Sequence, residues 1–241
     1  MEAVQKTDKE NKELILFDLK KLGSPEEAVF LERPNRFVGI CRINGKTVRC
    51  HIADSGRLKE ILTEGRKLLV VKNRPGMKTR YRVIGALMED GWILLNTSIH
   101  SKIGEEAIKK GVLGFTPEKI KREFAFGNSR IDYLVDDNVL VELKGSNLLI
   151  GDKCVFPDAP TSRGKRHLEE LIKSLSEGYR PYILMMGLRE CNCFQTNERL
   201  DPEFSETFQK AIESGVVFKG FRVGIDREFN VVLKGEMKLC R

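Results

Sequence analysis

Residues 130–144 read RIDYLVDDNVLVELK, two short apolar stretches around the turn Asp136-Asp137-Asn138. Asp and Asn favour turns because their side chains hydrogen-bond the local backbone and tolerate left-handed conformations. Side chains alternate faces along a strand. Outside the turn, the odd-numbered positions are all apolar or aromatic, whereas every charged side chain of the two strands occupies an even-numbered position. The segment is therefore predicted to be a β-hairpin with one buried face and one polar face.

The polar face carries a candidate metal site. If the hairpin is symmetric about Asp137, Asp132 lies directly opposite Glu142, with Cβ atoms about 4.5–5.5 Å apart, where like charges repel. A divalent cation offsets this repulsion, since carboxylate oxygens are the preferred ligands of Mg²⁺. Lys144 follows on the same face. Two carboxylates and a lysine around a metal ion suit phosphodiester hydrolysis, because the ion polarises the phosphoryl oxygen and activates a bound water.

The alternative is the exposed polar face of an ordinary amphipathic hairpin, which the same spacing allows. For the metal site, the sequence predicts Mg²⁺ or Mn²⁺ as cofactor, with no zinc and no organic cofactor. Cys191-Asn192-Cys193 has no second cysteine pair at zinc spacing, and structural zinc needs four ligands.

The elements around this hairpin predict an α/β domain with a mixed sheet flanked by helices. Helices are predicted over residues 101–110, 162–177 and 201–214, and strands over 122–126, 130–135, 139–144, 181–186, 216–223 and 229–234. The third helix has a particularly clear start, because Asp201 is suited to the N-cap and Pro202 to the first helical position.

The region before this domain predicts a small barrel. Residues 28–98 contain about five short β-segments separated by turn signals such as Asn44-Gly45, which is typical of a small OB-like β-barrel. Residues 8–22 place apolar side chains at helical spacing and are followed by Gly23 and Pro25, so an N-terminal helical segment is predicted. The predicted organisation is α+β, with a helical segment at 1–27, a barrel at 28–98 and the α/β domain at 99–241.

Basic residues are concentrated in the barrel region. Between Arg33 and Arg82 there are 14 Lys or Arg and 3 Asp or Glu, a local net charge of +11 in a chain whose total is +7. Such asymmetry indicates a phosphate-bearing partner, with nucleic acid favoured over the alternative of a solubilising charged surface.

The overall composition is that of a globular protein, with 41% hydrophobic and 32% charged residues. No apolar run is long enough to span a bilayer, and the N-terminus lacks the features of a secretory signal. We therefore expect a cytoplasmic protein with no membrane partner, in which the six scattered cysteines are reduced.

Several segments resemble the sugar fermentation stimulation protein (SfsA) family. They include SRIDYLV, VLVELKGSNLLI, VFPDAPTSRGKRHLEELIKSLSEGYRPYIL, DPEFSETFQKAIESGV, ERPNRFVG, HIADSGRLKEIL and LLNTSIHSKIGEEAIKKG, which together span nearly the whole chain after residue 30. The resemblance implies DNA binding, a link to sugar-utilisation genes, and an OB-like barrel followed by a PD-(D/E)xK nuclease-like domain. Asp132, Glu142 and Lys144 match the nuclease motif. The helix acid of that motif would be Glu106, with Glu105 as the alternative.

The candidate DNA contacts fall into two groups. The barrel supplies Arg36, Arg42, Arg49, Arg57, Arg80 and Arg82, and the start of the helix at 162–177 supplies Arg163, Arg166 and His167. Helix N-termini attract phosphate through their free N–H groups, although an ordinary charged helix start is the alternative. For His167, one of only three histidines, a role in the metal site is equally open. The aromatic side chains of Phe37, Tyr81 and Trp92 are interpreted as core residues in preference to base-stacking ones, and Asp158 as a turn residue in preference to a ligand.

The leading hypothesis is a DNA-binding protein with a Mg²⁺- or Mn²⁺-dependent phosphodiester-cleaving site. The alternative is a non-catalytic DNA-binding regulator of sugar-utilisation genes on a nuclease-like scaffold. A third is an RNA-processing enzyme, since charge does not separate RNA from DNA. The sequence leaves open whether the chain forms a homodimer.

Overall fold

The computed structural model describes residues 13–54 and 56–240 of the chain. In chain order the strands are β1 Leu14–Asp18, β2 Glu26–Asn35, β3 Val38–Ile43, β4 Lys46–His51, β5 Lys67–Lys72, β6 Tyr81–Met88, β7 Gly91–Leu94, β8 Ile120–Phe126, β9 Ser129–Val135, β10 Val139–Ser146, β11 Leu148–Ile150, β12 Lys153–Phe156, β13 Arg180–Gly187, β14 Cys193–Thr196, β15 Val217–Ile225, β16 Asn230–Glu236 and β17 Lys238–Leu239. The helices are α1 His100–Lys109, α2 Ser162–Ser176 and α3 Pro202–Ser214, with 3-10 turns at Leu19–Leu22 and Thr97–Ile99.

Strands β2–β6 form a closed five-stranded barrel. They pair antiparallel in the order β4-β3-β2-β5-β6, and a short parallel pairing of β4 with β6 closes the ring, with Cys50 opposite Tyr81. Strand β7 extends the sheet beyond β6. Asn44 and Gly45 join β3 to β4 with φ angles of 49° and 76°, as a two-residue type I′ turn requires. The predicted small OB-like barrel is confirmed.

A seven-stranded mixed sheet is the centre of the second half. Its order is β1-β16-β15-β13-β10-β9-β8, in which β10, β13 and β15 are parallel to one another and the remaining neighbours are antiparallel. Helix α1 packs on the face that carries Tyr133 and Val141, and helices α2 and α3 pack on the face that carries Leu140 and Ile183. The predicted α/β domain is therefore confirmed, and every helix and strand predicted after residue 100 is present with ends shifted by a few residues.

The N-terminal helix predicted over residues 8–22 is wrong for the residues that the structure describes, and residues 8–12 of that prediction lie outside them. Leu14–Asp18 form β1, which pairs antiparallel with β16 and places Leu14 opposite Leu233. Leu16 and Leu19 are buried in the core beside α1. Short isolated helices are marginal in water, so pairing with a sheet edge outweighs the helical spacing of these apolar residues.

A second, four-stranded sheet was not predicted. It has the order β11-β12-β14-β17 and its strands are two to four residues long. Disulfides join Cys154 to Cys191 and Cys193 to Cys240, whereas Cys41 and Cys50 are free and buried. The expectation that all six cysteines are reduced is therefore wrong. Strands this short have few ladder hydrogen bonds, and covalent links constrain the unfolded chain in their place.

The barrel is docked on the second domain by both apolar and polar contacts. Leu69, Ile84 and Leu94 of the barrel share one hydrophobic cluster with Val223 and Ile225 of β15. At one side of this contact, Arg189 donates two hydrogen bonds from Nε and Nη2 to the carboxylate of Asp90, at 2.9 and 3.0 Å, and Glu190 N donates to the same group. These contacts fix the orientation of the barrel relative to the large sheet. No helix in residues 13–54 and 56–240 is long and apolar enough to cross a membrane.

The Asp90–Arg189 pair generates a prediction about stability and pH. Their side chains are 16% and 10% exposed, so Asp90→Ala leaves a mostly buried guanidinium without its partner and should cost about 2 kcal/mol in the free energy of unfolding at pH 7. Burial alone would raise the pKa of Asp90, but hydrogen bonds from Arg189 and Glu190 N outweigh it and lower that pKa.

Because the pKa of Asp90 is lowered on folding, its contribution is present above its ordinary pKa and is lost as the pH falls through the folded value. The stability difference between wild type and Asp90→Ala, measured by urea unfolding, should therefore shrink below about pH 4. Glu89→Ala, an exposed neighbour, is the matched control. A difference that is unchanged at pH 3 would show that the ion pair is not its source.

Candidate active site

The β9–β10 hairpin has the register predicted from its sequence. Val139 lies opposite Val135, Leu140 opposite Leu134 and Val141 opposite Tyr133. The described ladder ends there, one position before Asp132 and Glu142 would meet. The Asp132 side chain takes the place of a backbone partner, since its Oδ2 accepts a hydrogen bond of 2.7 Å from Leu143 N. The carboxylate of Asp132 is thus fixed against β10, beside Glu142.

Glu142 is the most enclosed charged group of the site, with a side chain only 2% exposed. Its Oε1 contacts both Lys144 Nζ and His167 Nδ1. Its Oε2 is inaccessible to solvent and has no hydrogen-bond partner. We call Asp132, Glu142, Lys144 and His167 the carboxylate cluster. Lys144 is 14% exposed at its side chain, so this lysine is the part of the contact with Glu142 that reaches towards the surface.

The two carboxylates of the cluster are held in different states. Burial raises the pKa of Asp132 to about 7, and the negative charge of Glu142 adds to this effect, whereas Lys144 and the amide of Leu143 offset only part of it. Burial also acts to raise the pKa of Glu142, but Lys144 and His167 outweigh it and the pKa is lowered. Neighbouring carboxylates commonly separate in this way, because both cannot ionise without cost.

His167 is oriented by helix α2. The helix begins at a well-formed N-cap, where Thr161 Oγ1 accepts a hydrogen bond from Gly164 N and Thr161 N donates to Asp201 Oδ2. Arg163 Nε donates to His167 Nε2 at 3.3 Å. Arginine cannot accept, so Nε2 is the acceptor in this contact and a ring proton lies on Nδ1, facing Glu142. Lys144 Nζ lies 3.3 Å from the same Nδ1, but neither group can accept there, and each donates to Glu142 Oε1.

The assignment of His167 to DNA contact is therefore corrected. The residue is only 3% exposed, and its ring contacts Glu142 instead of the protein surface. A signal for this was present in the sequence, because His167 lies four residues before Leu171, which is also buried on α2. Residues four apart share one face of a helix.

The structure does not bring Glu106 to the carboxylate cluster. Helix α1 lies on the opposite face of the sheet, where a Cβ on Gly104 would lie 2.6 Å from the side chains of Leu143 and Tyr133. Glu106 forms an ion pair with Lys109 at 2.8 Å. The alternative acid, Glu105, pairs with Arg122 and Lys109.

Most of the predicted phosphate contacts are exposed. These are Arg36, Arg42, Arg49, Arg57, Arg80, Arg163 and Arg166. Arg82 is different, because it is half-buried and its Nη2 donates to the carbonyl oxygen of Leu22 at 3.2 Å. We therefore correct its assignment: Arg82 holds the chain that enters the barrel. The exposed arginines remain predicted contacts.

Two further sets of residues depart from the sequence interpretation. Phe37 was interpreted as a core residue but is 49% exposed, whereas Tyr81 is buried and Trp92 packs against the core. Arg33 was not singled out, yet its guanidinium donates to the carbonyl oxygens of Gly56, Arg57, Arg36 and Asp54. The four carbonyl groups come from two separate loops, and no pattern around Arg33 in the sequence indicates that its side chain binds them.

The donor set for a metal ion is small. Within the part of the chain that the structure describes, no three His, Cys, Asp or Glu side chains are placed to share one ion. Asp132 and Glu142 supply two carboxylates. This is the number that Mg²⁺ sites often use, with waters and substrate phosphate oxygens completing the coordination.

Comparison with known proteins places both halves of the chain in one family. Residues 31–95 match the SfsA N-terminal OB domain, and residues 98–229 match the sugar fermentation stimulation protein RE domain. The sugar fermentation stimulation protein homolog of Sulfolobus acidocaldarius is 44% identical over 191 residues, covering 79% of each chain. The homolog of Methanococcoides burtonii is 40% identical over 232 residues, covering 89% of this chain and 92% of that one.

A solved structure shares the architecture. The structure of Pyrococcus furiosus SfsA in complex with Ca²⁺ superposes with a TM-score of 0.84 at 30% sequence identity, over 95% of this chain and 100% of that one. The OB barrel and the α/β domain are thus shared over nearly the whole length. The chain belongs to the sugar fermentation stimulation protein family.

Proposed function

We propose that the chain is a DNA-binding protein whose carboxylate cluster is a Mg²⁺- or Mn²⁺-dependent phosphodiesterase site. The observation that carries this proposal is Glu142 Oε2, a buried carboxylate oxygen with no partner, beside a second carboxylate that burial and charge hold at a raised pKa. A buried carboxylate oxygen without a partner is costly, and so is ionising a second carboxylate beside it. A cation shared by Asp132 and Glu142 removes both penalties at once.

The residues of the cluster fit a hard divalent cation. Asp132 and Glu142 would hold it, and both are oxygen donors of the kind that Mg²⁺ and Mn²⁺ bind. When bound, such an ion polarises a phosphoryl oxygen and lowers the pKa of a coordinated water. The family member from Pyrococcus furiosus is described in complex with Ca²⁺, which supports a divalent-cation site in this chain as well.

The protein's own groups then have separate roles. Lys144 offers an ammonium at the surface edge of the cluster, where it orients the attacked phosphate and stabilises its developing charge. His167 is a positioning residue, because it donates to Glu142 Oε1 and so fixes the orientation of that carboxylate. Arg163 and Arg166, exposed at the start of α2, bind the flanking backbone, and the exposed arginines of the barrel extend this contact.

A second candidate is a non-catalytic DNA-binding regulator of sugar-utilisation genes. One observation favours it. The charge of Glu142 is already offset by Lys144 and His167, so the cluster holds together without an ion and Lys144 is engaged. Both candidates share the basic barrel, and cleavage separates them. RNA is an alternative partner, because charge does not separate RNA from DNA.

Metal binding is tested by thermal unfolding. Saturating Mg²⁺ or Mn²⁺ should raise the Tm of the wild type, since a ligand at about 100 times its Kd adds about 2.7 kcal/mol and each kcal/mol shifts the Tm by about 2–4 °C at this size. Asp132→Asn should abolish the shift while keeping the acceptor for Leu143 N. Asp137→Asn, in the exposed turn of the same hairpin, should retain it. An equal shift in both variants would place the ion elsewhere.

Cleavage is tested on duplex, branched and single-stranded DNA and on RNA. With Mn²⁺ the wild type should nick or cut at least one substrate, and Lys144→Ala should lose about 100-fold or more in rate, as removal of a group that stabilises developing charge commonly does. Lys165→Ala removes a lysine that pairs with Glu203 on α3 and should keep the rate. Wild-type protein that binds DNA but cuts none of these substrates would favour the regulator.

The barrel surface is tested by the salt dependence of DNA affinity. Each lysine or arginine that meets a phosphate releases a counterion, so the logarithm of the binding constant should fall steeply with the logarithm of salt concentration. Arg42→Ala and Arg49→Ala should each reduce that slope by about 1, whereas Lys210→Ala on α3 should leave it unchanged. A flat response in the wild type would remove the barrel from the DNA interface.

A further inference from the structure

A polar cleft lies between the barrel and the nuclease-like domain. Its volume is about 380 Å³, within the range of small-ligand pockets. One wall comes from the barrel, with Arg36, Asp54 and Gly56. The opposite wall comes from the end of β10 and from the segment between β12 and α2. The cleft is therefore built from stretches that are far apart in sequence.

Two side chains that line this cleft each hold a buried polar atom without a hydrogen-bond partner. Asp158 lines it, and Asp158 Oδ2 is buried without a partner. His100 lines it as well, and its buried Nε2 has no partner. Burial lowers the pKa of His100 to about 4, so the ring is neutral. Native proteins leave few buried polar atoms unpaired. Both atoms are closed to solvent, so a ligand in the cleft would supply the missing partners after these side chains turn towards it.

The lining excludes some classes of ligand. Asp54 and Asp158 both face the cleft, so a phosphate would meet two carboxyl groups. Asp54 is already engaged, with Oδ1 accepting from Gly56 N at 2.8 Å and Oδ2 from Asn147 Nδ2 at 3.1 Å. No metal-ligand group is formed here within residues 13–54 and 56–240. The cleft instead suits a neutral group with N–H donors.

The apolar part of the lining favours a ligand with an apolar face. Phe156, Pro157 and Leu188 give apolar wall surface beside the polar groups. The Phe156 ring is held in place edge-on by Phe204, with ring centroids 5.2 Å apart. Rotation about the terminal bond of Asp158 costs little and presents its unpaired oxygen to the cleft. An apolar wall with acceptors at its edge matches a nucleobase, which stacks through its face and donates from its edge.

The cleft and the carboxylate cluster are linked through two segments of backbone. Gly145, which lines it, directly follows Lys144, and Thr161, which also lines it, is the N-cap of the helix that carries His167. At the barrel side, Arg36 lines the cleft next to Phe37, which is 49% exposed. A strand whose backbone meets Lys144 can therefore place a neighbouring base in the cleft and stack another on Phe37.

We infer that this cleft receives one unpaired nucleobase, so that the preferred substrate contains an unpaired nucleotide next to the bound phosphate. This inference rests on the proposed function, because it takes the carboxylate cluster as the place where the nucleic-acid backbone binds. A base within an intact duplex cannot enter without being unstacked, whereas an unpaired base enters at little cost.

The experiment compares two labelled duplexes in EDTA, one fully paired and one with a single unpaired guanine, by fluorescence anisotropy. The wild type should bind the second at least tenfold more tightly. Ala159→Trp fills the cleft and should reduce this preference below threefold with unchanged affinity for the paired duplex. Ala125→Trp, at an exposed position of β8, should keep it.

A variant of an exposed residue provides a second test in case Ala159→Trp fails to fold. Phe37→Ala changes an exposed side chain and should also lower the preference, whereas Met77→Ala, 62% exposed on the same barrel, should not. Equal wild-type affinity for the two duplexes overturns the cleft proposal and leaves DNA binding intact. A preference that survives both Ala159→Trp and Phe37→Ala overturns it as well. Absence of binding to either duplex overturns the proposed function together with this one.

Discussion

The structure around the site depends on one buried charge, the carboxylate of Glu142. Lys144 comes from the same strand, His167 comes from α2, and Asp132 is fixed to β10 through Leu143 N. Removing water from a carboxylate is expensive unless other groups replace it. The carboxylate of Glu142 therefore links the position of α2 on the sheet to the position of the Lys144 side chain. A shift of α2 or of Lys144 would leave the charge of Glu142 less well compensated.

The second constraint is the fixed position of the barrel on the α/β domain. A shared apolar cluster and the Asp90–Arg189 pair hold it against the large sheet, and Asn147 reaches from the α/β domain to Asp54 of the barrel. A basic surface that moved freely would bind phosphates without relating them to the carboxylate cluster. Here both are held in one fixed arrangement, so under the proposed function the barrel would orient the substrate as well as add to affinity.

Patterns within one segment were enough to predict much of this arrangement. The alternation along residues 130–144 gave the hairpin and its register, and Asp201, Pro202 and Gly215 bracketed α3 as expected. The failures concern information that no single segment contains. The apolar spacing near Leu16 mimicked a helix until β16 was available as a partner. Cysteine composition does not reveal which thiols meet, and the cleft lined by Asp54, His100 and Asp158 joins three distant segments.

The pairing of β1 with β16 has a consequence for how the chain is made. Leu14 leaves the ribosome early but its neighbour Leu233 is synthesised near the end. Contacts between such distant positions are slow to form, because the entropy cost of closing a long loop comes before any stabilising contact is made. The barrel can fold first, because domains generally fold as units during synthesis. Until β16 is available, the apolar side chains of the β1 segment remain exposed to solvent. Strand β1 is thus translated before the other strands of the large sheet but joins the sheet only after β16 has been made.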